Sequence, residues 1–258
     1  MSNQRFKFID GFKGLAVLLY IFTISGGGNY RSFTPVSWHL MSFSDAVFPA
    51  LLFITGVSTG FAFNRSQHPS KRWPLIFARF FVTWVLGVVM RNKSNNIQYL
   101  LYSGAFQILA LAYLLICTLE RVLPLQSKLG SKKVSNRNFV LRVILMLLLP
   151  AVNLTLTFLY DEKDPHSGID CPKGYQGPGG IGDKHEYTLC TGGAARLIDL
   201  RVFGQDHLEK SPSCSTVYYC QSFERFGILP SLNAIFTAFL GSVWATLYIQ
   251  WNSSLPDD

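Results

Sequence analysis

The stretch Gly26–His39, GGGNYRSFTPVSWH, lies between two strongly apolar runs and ends on an imidazole. Histidine is the side chain most often used to accept a proton near neutral pH. His39 is therefore the first candidate for acid–base chemistry in this chain. Other polar groups sit at marked places in the apolar runs. Asp45 opens the second run, where a carboxylate suits the positive end of a helix. Asp10 and Lys13, three apart, share one helical face of the first run and make either an interfacial ion pair or an inward-facing anchor for a ligand. Arg79 stands five residues inside the third run and can snorkel to a membrane surface or meet an anionic ligand. Gln107 falls near the middle of the fourth, where a buried amide needs a partner.

The elements that must position these groups are read from composition. The 258 residues are 49% hydrophobic and only 15% charged, against about a quarter charged in ordinary globular chains. Crossing a bilayer takes about 20 mostly apolar residues. Six segments qualify as expected spans: 8–25, 45–63, 74–91, 97–119, 139–160 and 227–249. The expected fold class is an all-α polytopic membrane protein, about six transmembrane helices in one domain over 1–258, with a disulfide-containing lumenal loop at 161–226. In the second span Gly56, Ser58, Thr59 and Gly60 form a small-residue face suited to close helix packing.

The net charge of +8 follows membrane topology and is not a nucleic-acid footprint. Segments 1–13, 64–73 and 120–138 hold eleven Lys/Arg, including Lys71 and Arg72, while loops 26–44 and 91–96 hold three. The positive-inside rule places both termini in the cytoplasm. Segment 161–226 then faces the lumen, and it carries ten of the fifteen acidic residues together with Cys171, Cys190, Cys214 and Cys220. Disulfides persist on that side. Four cysteines allow three pairings, of which the sequence-local one, Cys171–Cys190 with Cys214–Cys220, needs the least rearrangement. Cys117, inside a span, reads as a small buried apolar residue.

Of the four N-x-[ST] sequons, Asn92 alone lies in an expected lumenal loop clear of a span, and it is the expected glycosylation site. The run GYQGPGGIGD at 174–183 has no GK[ST] and is not a P-loop; its glycines suit a tight turn between cysteines. His166, His185 and His207 match no metal-ligand spacing, and no metal is expected. No internal repeat of the kind secondary transporters carry is visible.

Several strings together resemble the family of heparan-α-glucosaminide N-acetyltransferase and its multi-span acyltransferase relatives. They are Arg5 with Ile9-Asp10-Gly11-Phe12-Lys13-Gly14, Gly26-Gly27-Gly28-Asn29-Tyr30, Ser37-Trp38, and Ser44-Asp45-Ala46-Val47-Phe48-Pro49. The most specific is CPKGYQGPGGIGDKHEYTLCTGGAARLIDLRVFGQDHL, Cys171 to Leu208, followed by Gly227-Ile228-Leu229 and Asn233-Ala234-Ile235. The resemblance implies transfer of acetyl from cytoplasmic acetyl-CoA to a lumenal glucosamine of heparan sulfate, in a lysosomal membrane. It implies Asn29, Trp38, Asp45 and Gln107 on the substrate side and Lys13 and Arg79 on the acetyl-CoA side, with Lys71 and Arg72 as further basic groups at the mouth.

The sequence also departs from the pattern. Alignment on Trp38 puts Pro35 at the family's histidine and His39 at an asparagine. Ile24 replaces an asparagine before the glycine triplet, and Ile108 replaces an arginine after Gln107. Relatives are expected to continue through further spans. Two readings follow. In the first, His39 replaces the displaced histidine from one helical turn away. In the second, the chain is a catalytically inactive or truncated relative that binds a ligand, forms a homodimer or pairs with a full-length paralogue.

Overall fold

Small residues decide where the helices of this protein meet. The computed structural model describes residues 7–64, 73–92, 97–125, 136–160, 168 and 170–254. Five long helices, α1 (Lys7–Ile24), α2 (Phe43–Asn64), α3 (Trp73–Arg91), α4 (Ala105–Val122) and α5 (Asn136–Leu159), precede a looped region. That region holds two short helices, α6 (Ala194–Phe203) and α7 (Ser215–Tyr218), and leads into the last long helix, α8 (Ile228–Ser254). Helix α8 packs most extensively on α2 and also meets α4 and α5; α1 packs on α2, and α3 on α4. The backbones of α2 and α8 approach so closely that a Cβ on Gly56 would stand 1.7 Å from the Ala238 carbonyl oxygen, and one on Gly241 2.0 Å from that of Phe53. Van der Waals packing across such a seam is the main force holding helices together in lipid. Gly56 and Gly60 thus form the packing face that the sequence suggests, while Ser58 turns instead toward Lys13 of α1, whose Nζ donates to its Oγ at 3.5 Å.

Among the described residues five helices, α2, α3, α4, α5 and α8, are long and apolar enough to cross a membrane. The protein is an integral, multi-pass membrane protein. The first expected span corresponds to α1, 18 residues long, which carries Lys7, Asp10 and Lys13 in its first two turns. Outer faces of α3 and α5 are almost wholly exposed apolar surface, as lipid-facing helices should be.

The fourth expected span, 97–119, is shifted: residues 97–99 form a single 3₁₀ turn and the helix begins only at Ala105. The reason is local. Polar backbone groups of 100–103 serve other elements, with Leu100 O accepting from His207 Nδ1 at 2.7 Å. Leu101 binds Asn92 through both its N–H and its carbonyl, and the Ser103 carbonyl accepts from Arg91. Both sequence-local disulfides form, Cys171–Cys190 and Cys214–Cys220, with Cα separations of 5.5 and 5.8 Å. Cys117 is free and buried.

Candidate active site

The ends of α1, α3 and α4, the loop after Gly26 and the segment 209–226 converge on a cavity of about 530 Å³. Its walls are mostly apolar and aromatic, among them Tyr20, Trp38, Phe106, Phe223 and Phe226, with Gln107, Arg91, Arg225 and Glu209 as polar groups. An apolar cleft with a few converging polar groups is the usual form of a small-molecule site. Gln107 is 3% exposed, and its Nε2 has no hydrogen-bond partner among the described residues. Its Oε1 lies where a side chain on either Gly87 or Gly104 would collide with it. The amide is thus clamped between two helices with a donor free for a ligand oxygen, and a buried unpaired donor calls for such an explanation.

Arg91, at the end of α3, organises one wall. Its Nη2 donates to Glu224 Oε2 at 2.8 Å and to Glu209 Oε2 at 3.4 Å. The Glu224 side chain is fully buried, while that of Glu209 is 40% exposed and borders the cavity. Burial pushes the Glu209 carboxyl above the usual carboxylate range, against the opposing pull of Arg91 and Arg225. Burial raises Glu224 too, and Arg91 and the Phe226 N–H partly offset it. Behind Glu224 lies Asp199 of α6, with no exposed surface. Its Oδ1 accepts the Ile228 N–H at 2.9 Å, capping α8 from another element. Burial pushes Asp199 up to about 7, and the Glu224 charge adds to the shift. Gly227 is glycine because a Cβ there would stand 1.9 Å from Asp199 Oδ2.

Asp45 braces the opposite wall. It sits in the first turn of α2, where its Oδ2 accepts from both the N–H and the Oγ of Ser42, at 3.0 and 2.9 Å, the half of a capping box in which the side chain reaches back to the residue before the helix. The same oxygen accepts the Val36 N–H at 3.4 Å, and Oδ1 lies 3.5 Å from Arg225 Nη2. The loop carrying Pro35 to Trp38 is thereby fixed against Arg225.

The residues named from the sequence are distributed unevenly. Trp38 and Gln107 line the cavity, and so do Pro35 and Ile24, the two positions where the resemblance places a histidine and an asparagine. Ile108 is buried in the core beside them. Asp45 holds lining residues without being one, and Asn29 is exposed in a tight turn with φ 63°. His39 is exposed on the far side of Trp38, in a second, open basin, its ring edge-on to Tyr218 at 5.8 Å. Asn92 is committed to the end of α3: its amide donates to Val88 O and Leu101 O and accepts the Leu101 N–H. A glycan on its Nδ2 would replace one of the two donated hydrogens and so break one of these bonds. Asp199, Glu209, Glu224 and Arg225 escaped sequence reading because polar residues in a polar loop look solvated. Arg91 left one signal, a cation at the end of an apolar span where the charge bias disfavours it.

Lys13 and Arg79 belong to the other end of the bundle. Arg79 Nη1 contacts the Tyr113 hydroxyl at 3.4 Å. Nearby Arg121 stacks over Trp73 at 4.9 Å, with Nε and Nη2 lacking hydrogen-bond partners among the described residues. Lys71, Arg72 and His166 lie outside the described residues.

No family model matches the sequence. Individual relatives do. Over 257 residues, 93% of the chain, it is 34% identical to the heparan-α-glucosaminide N-acetyltransferase of Mus musculus, and over 270 residues, 98% of the chain, 34% identical to that of Homo sapiens. The chain belongs to this family. It spans 38% and 40% of the lengths of those two relatives. In this chain Trp38, Gln107, Pro35 and Ile24 line one cavity, and two disulfides brace the loop region of 170–220.

Proposed function

We propose that the chain forms the transfer site of a membrane N-acetyltransferase, which moves acetyl from acetyl-CoA to the amine of a terminal glucosamine of heparan sulfate. The observation that carries the reading is the cavity itself. Loop residues Pro35–Trp38, Gln107 of α4 and segment 209–226 meet around one carboxylate, Glu209. During transfer the amine nitrogen bonds to the thioester carbonyl carbon, the C–S bond breaks, CoA leaves as its thiol, and the nitrogen loses a proton. Glu209 is the lining group suited to accept that proton, and its raised affinity for protons suits it to the task. Gln107 Nε2 and Trp38 position the sugar.

On this reading the cavity end faces the lumen of a lysosome, both termini are cytoplasmic, and CoA approaches the opposite end. Lys13, Arg79 and Arg121 fit an anionic ligand there: among the described residues the first two touch neutral hydroxyls and no carboxylate within salt-bridge distance, and Arg121 has unused donors. They would hold CoA phosphates, and acetyl-CoA supplies the activated acyl group.

Purified protein given acetyl-CoA and glucosamine tests the assignment. Glu209→Gln is expected to lower kcat by about 10²–10⁴-fold, while His39→Ala stays within a fewfold of the parent. Loss of turnover in His39→Ala with Glu209→Gln unaffected would move the proton acceptor to His39. A second reading is favoured by the two apolar residues, Pro35 and Ile24, in the cavity wall: an inactive relative that binds the acceptor as a homodimer or with a full-length paralogue. Acceptor binding with no acetylated product, together with co-purification of a second chain, would select it.

A further inference from the structure

The second basin, about 850 Å³ and open, begins where the first cavity ends, because Trp38 lines both. His39, Tyr175 and Tyr187 supply further rings, and Gln176 and Asp183 add polar atoms to the lining. The rings of Tyr175 and Tyr187 lie 5.0 Å apart at 54°. Both are held from below by their own hydroxyls: Tyr175 donates to Asp183 Oδ2 at 2.6 Å, and Tyr187 to Glu186 Oε1 at 2.8 Å. Trp38 is likewise fixed by Nε1 donating to the Gln176 carbonyl at 2.9 Å. These aromatic faces are therefore preset rather than free rotors.

Backbone conformation marks the same place. Among the described residues six that are not glycine have positive φ, and three of them, Leu40 (79°), Asp183 (47°) and Lys184 (57°), line this basin. Side chains are disfavoured in that region, and such residues gather where the surroundings hold a binding surface in shape. The linked turn is locked further by the Cys171–Cys190 disulfide and by the Gly179 N–H donating to the Tyr175 hydroxyl at 3.1 Å.

We propose that this basin is a subsite for the sugar rings that follow the acetylated one, so that the acceptor is an oligosaccharide lying across Trp38. The proposal rests on the acceptor reading of the first cavity. A pyranose presents C–H faces to aromatic rings and hydroxyls to carboxylate oxygens, and the basin offers both side by side. Its charged lining groups are Asp183, Glu186 and Lys184: the one cation can meet the carboxylate of a uronate ring, and the two carboxylates oppose the further charge of sulfate. The rings bound here are therefore unsulfated. His39 belongs to this platform.

Equilibrium binding to the full chain tests it with three probes: glucosamine, an unsulfated tetrasaccharide ending in glucosamine, and the same tetrasaccharide sulfated on its interior rings. The unsulfated tetrasaccharide is expected to bind at least tenfold more tightly than glucosamine. Tyr187→Ala should erase that gain while leaving glucosamine affinity within twofold, and Tyr187→Phe should retain it. Hydrogen exchange on the parent gives a readout that needs no variant: the tetrasaccharide, and not glucosamine, should protect 175–187. Equal affinity for glucosamine and the unsulfated tetrasaccharide, no protection of 175–187, or tightest binding by the sulfated probe would overturn the subsite. Absence of acetylated product from the parent would overturn the transfer reading alone and leave these binding outcomes to decide the subsite.

Discussion

The two ends of the helical bundle treat their cations in opposite ways. At the cavity end, Arg91 meets Glu224 and Glu209, and Arg225 meets Asp45. At the other end, Lys13 and Arg79 touch hydroxyls and Arg121 lies over a ring face. Among the described residues only Arg142 there is neutralised, by Glu120 through two hydrogen bonds of 2.8 and 2.9 Å. A buried cation bound to a carboxylate is part of the architecture, since removing either partner leaves an uncompensated charge. A cation that rests on a hydroxyl or a ring retains most of its field for a mobile anion. On the proposed reading, the first set shapes a site and the second attracts a ligand.

The largest expected effect comes from breaking the architectural pair. Arg91→Ala strands the buried Glu224 carboxylate and should destabilise the protein by about 3–5 kcal/mol, read as a lowered unfolding midpoint in detergent. Next comes the helix seam. Gly56→Val pushes α8 away from α2 and should cost about 1–3 kcal/mol or more in the same assay, with acceptor affinity falling in step because α8 carries the cavity wall through Phe226.

A pH scan sharpens the picture of the acidic wall. Asp199 is raised from 3.8 to about 7 by burial. A carboxyl with a raised folded value contributes stability that is fully present below the unfolded value and is lost as pH rises through the folded one. The Asp199 contribution should therefore fall between pH 4 and 7 with a slope of at most about 1.4 kcal/mol per unit, and Asp199→Asn should remove that part of the slope. Glu209 and Glu224, raised in the same direction by burial, act with the same sign. A slope unchanged in Asp199→Asn would remove that residue from the account. The smallest effect on stability is expected at the other end: Arg79→Gln should shift it by less than about 0.5 kcal/mol while weakening acetyl-CoA binding about tenfold.

Much of this design is legible in the sequence, and the reason differs by element. Long apolar runs report spans because lipid admits no alternative, and small residues at 56 and 60 report a helix seam. The disulfide pairing follows from short separations. The start of α4 is not legible, because residues 97–104 are apolar enough for a span yet lend their backbone to Asn92, Arg91 and His207. Trp38 and Gln107 are found from motif and position. Glu209, Glu224 and Asp199 are hidden because burial inside a folded loop is a tertiary property with no local signature. His39 draws attention as an imidazole in a glycine-rich stretch, yet it lines the neighbouring basin and not the cavity that Trp38 shares with Gln107.

Separate titrations of acetyl-CoA and glucosamine into Arg79→Gln and Glu209→Gln test most directly whether the two ends do different work. The expected result is a crossed one: Arg79→Gln loses about tenfold in acetyl-CoA affinity with glucosamine unchanged, and Glu209→Gln loses about tenfold for glucosamine with acetyl-CoA unchanged, each equivalent to roughly 1.4 kcal/mol. Both substitutions weakening the same ligand, or neither weakening any, would contradict the division of labour.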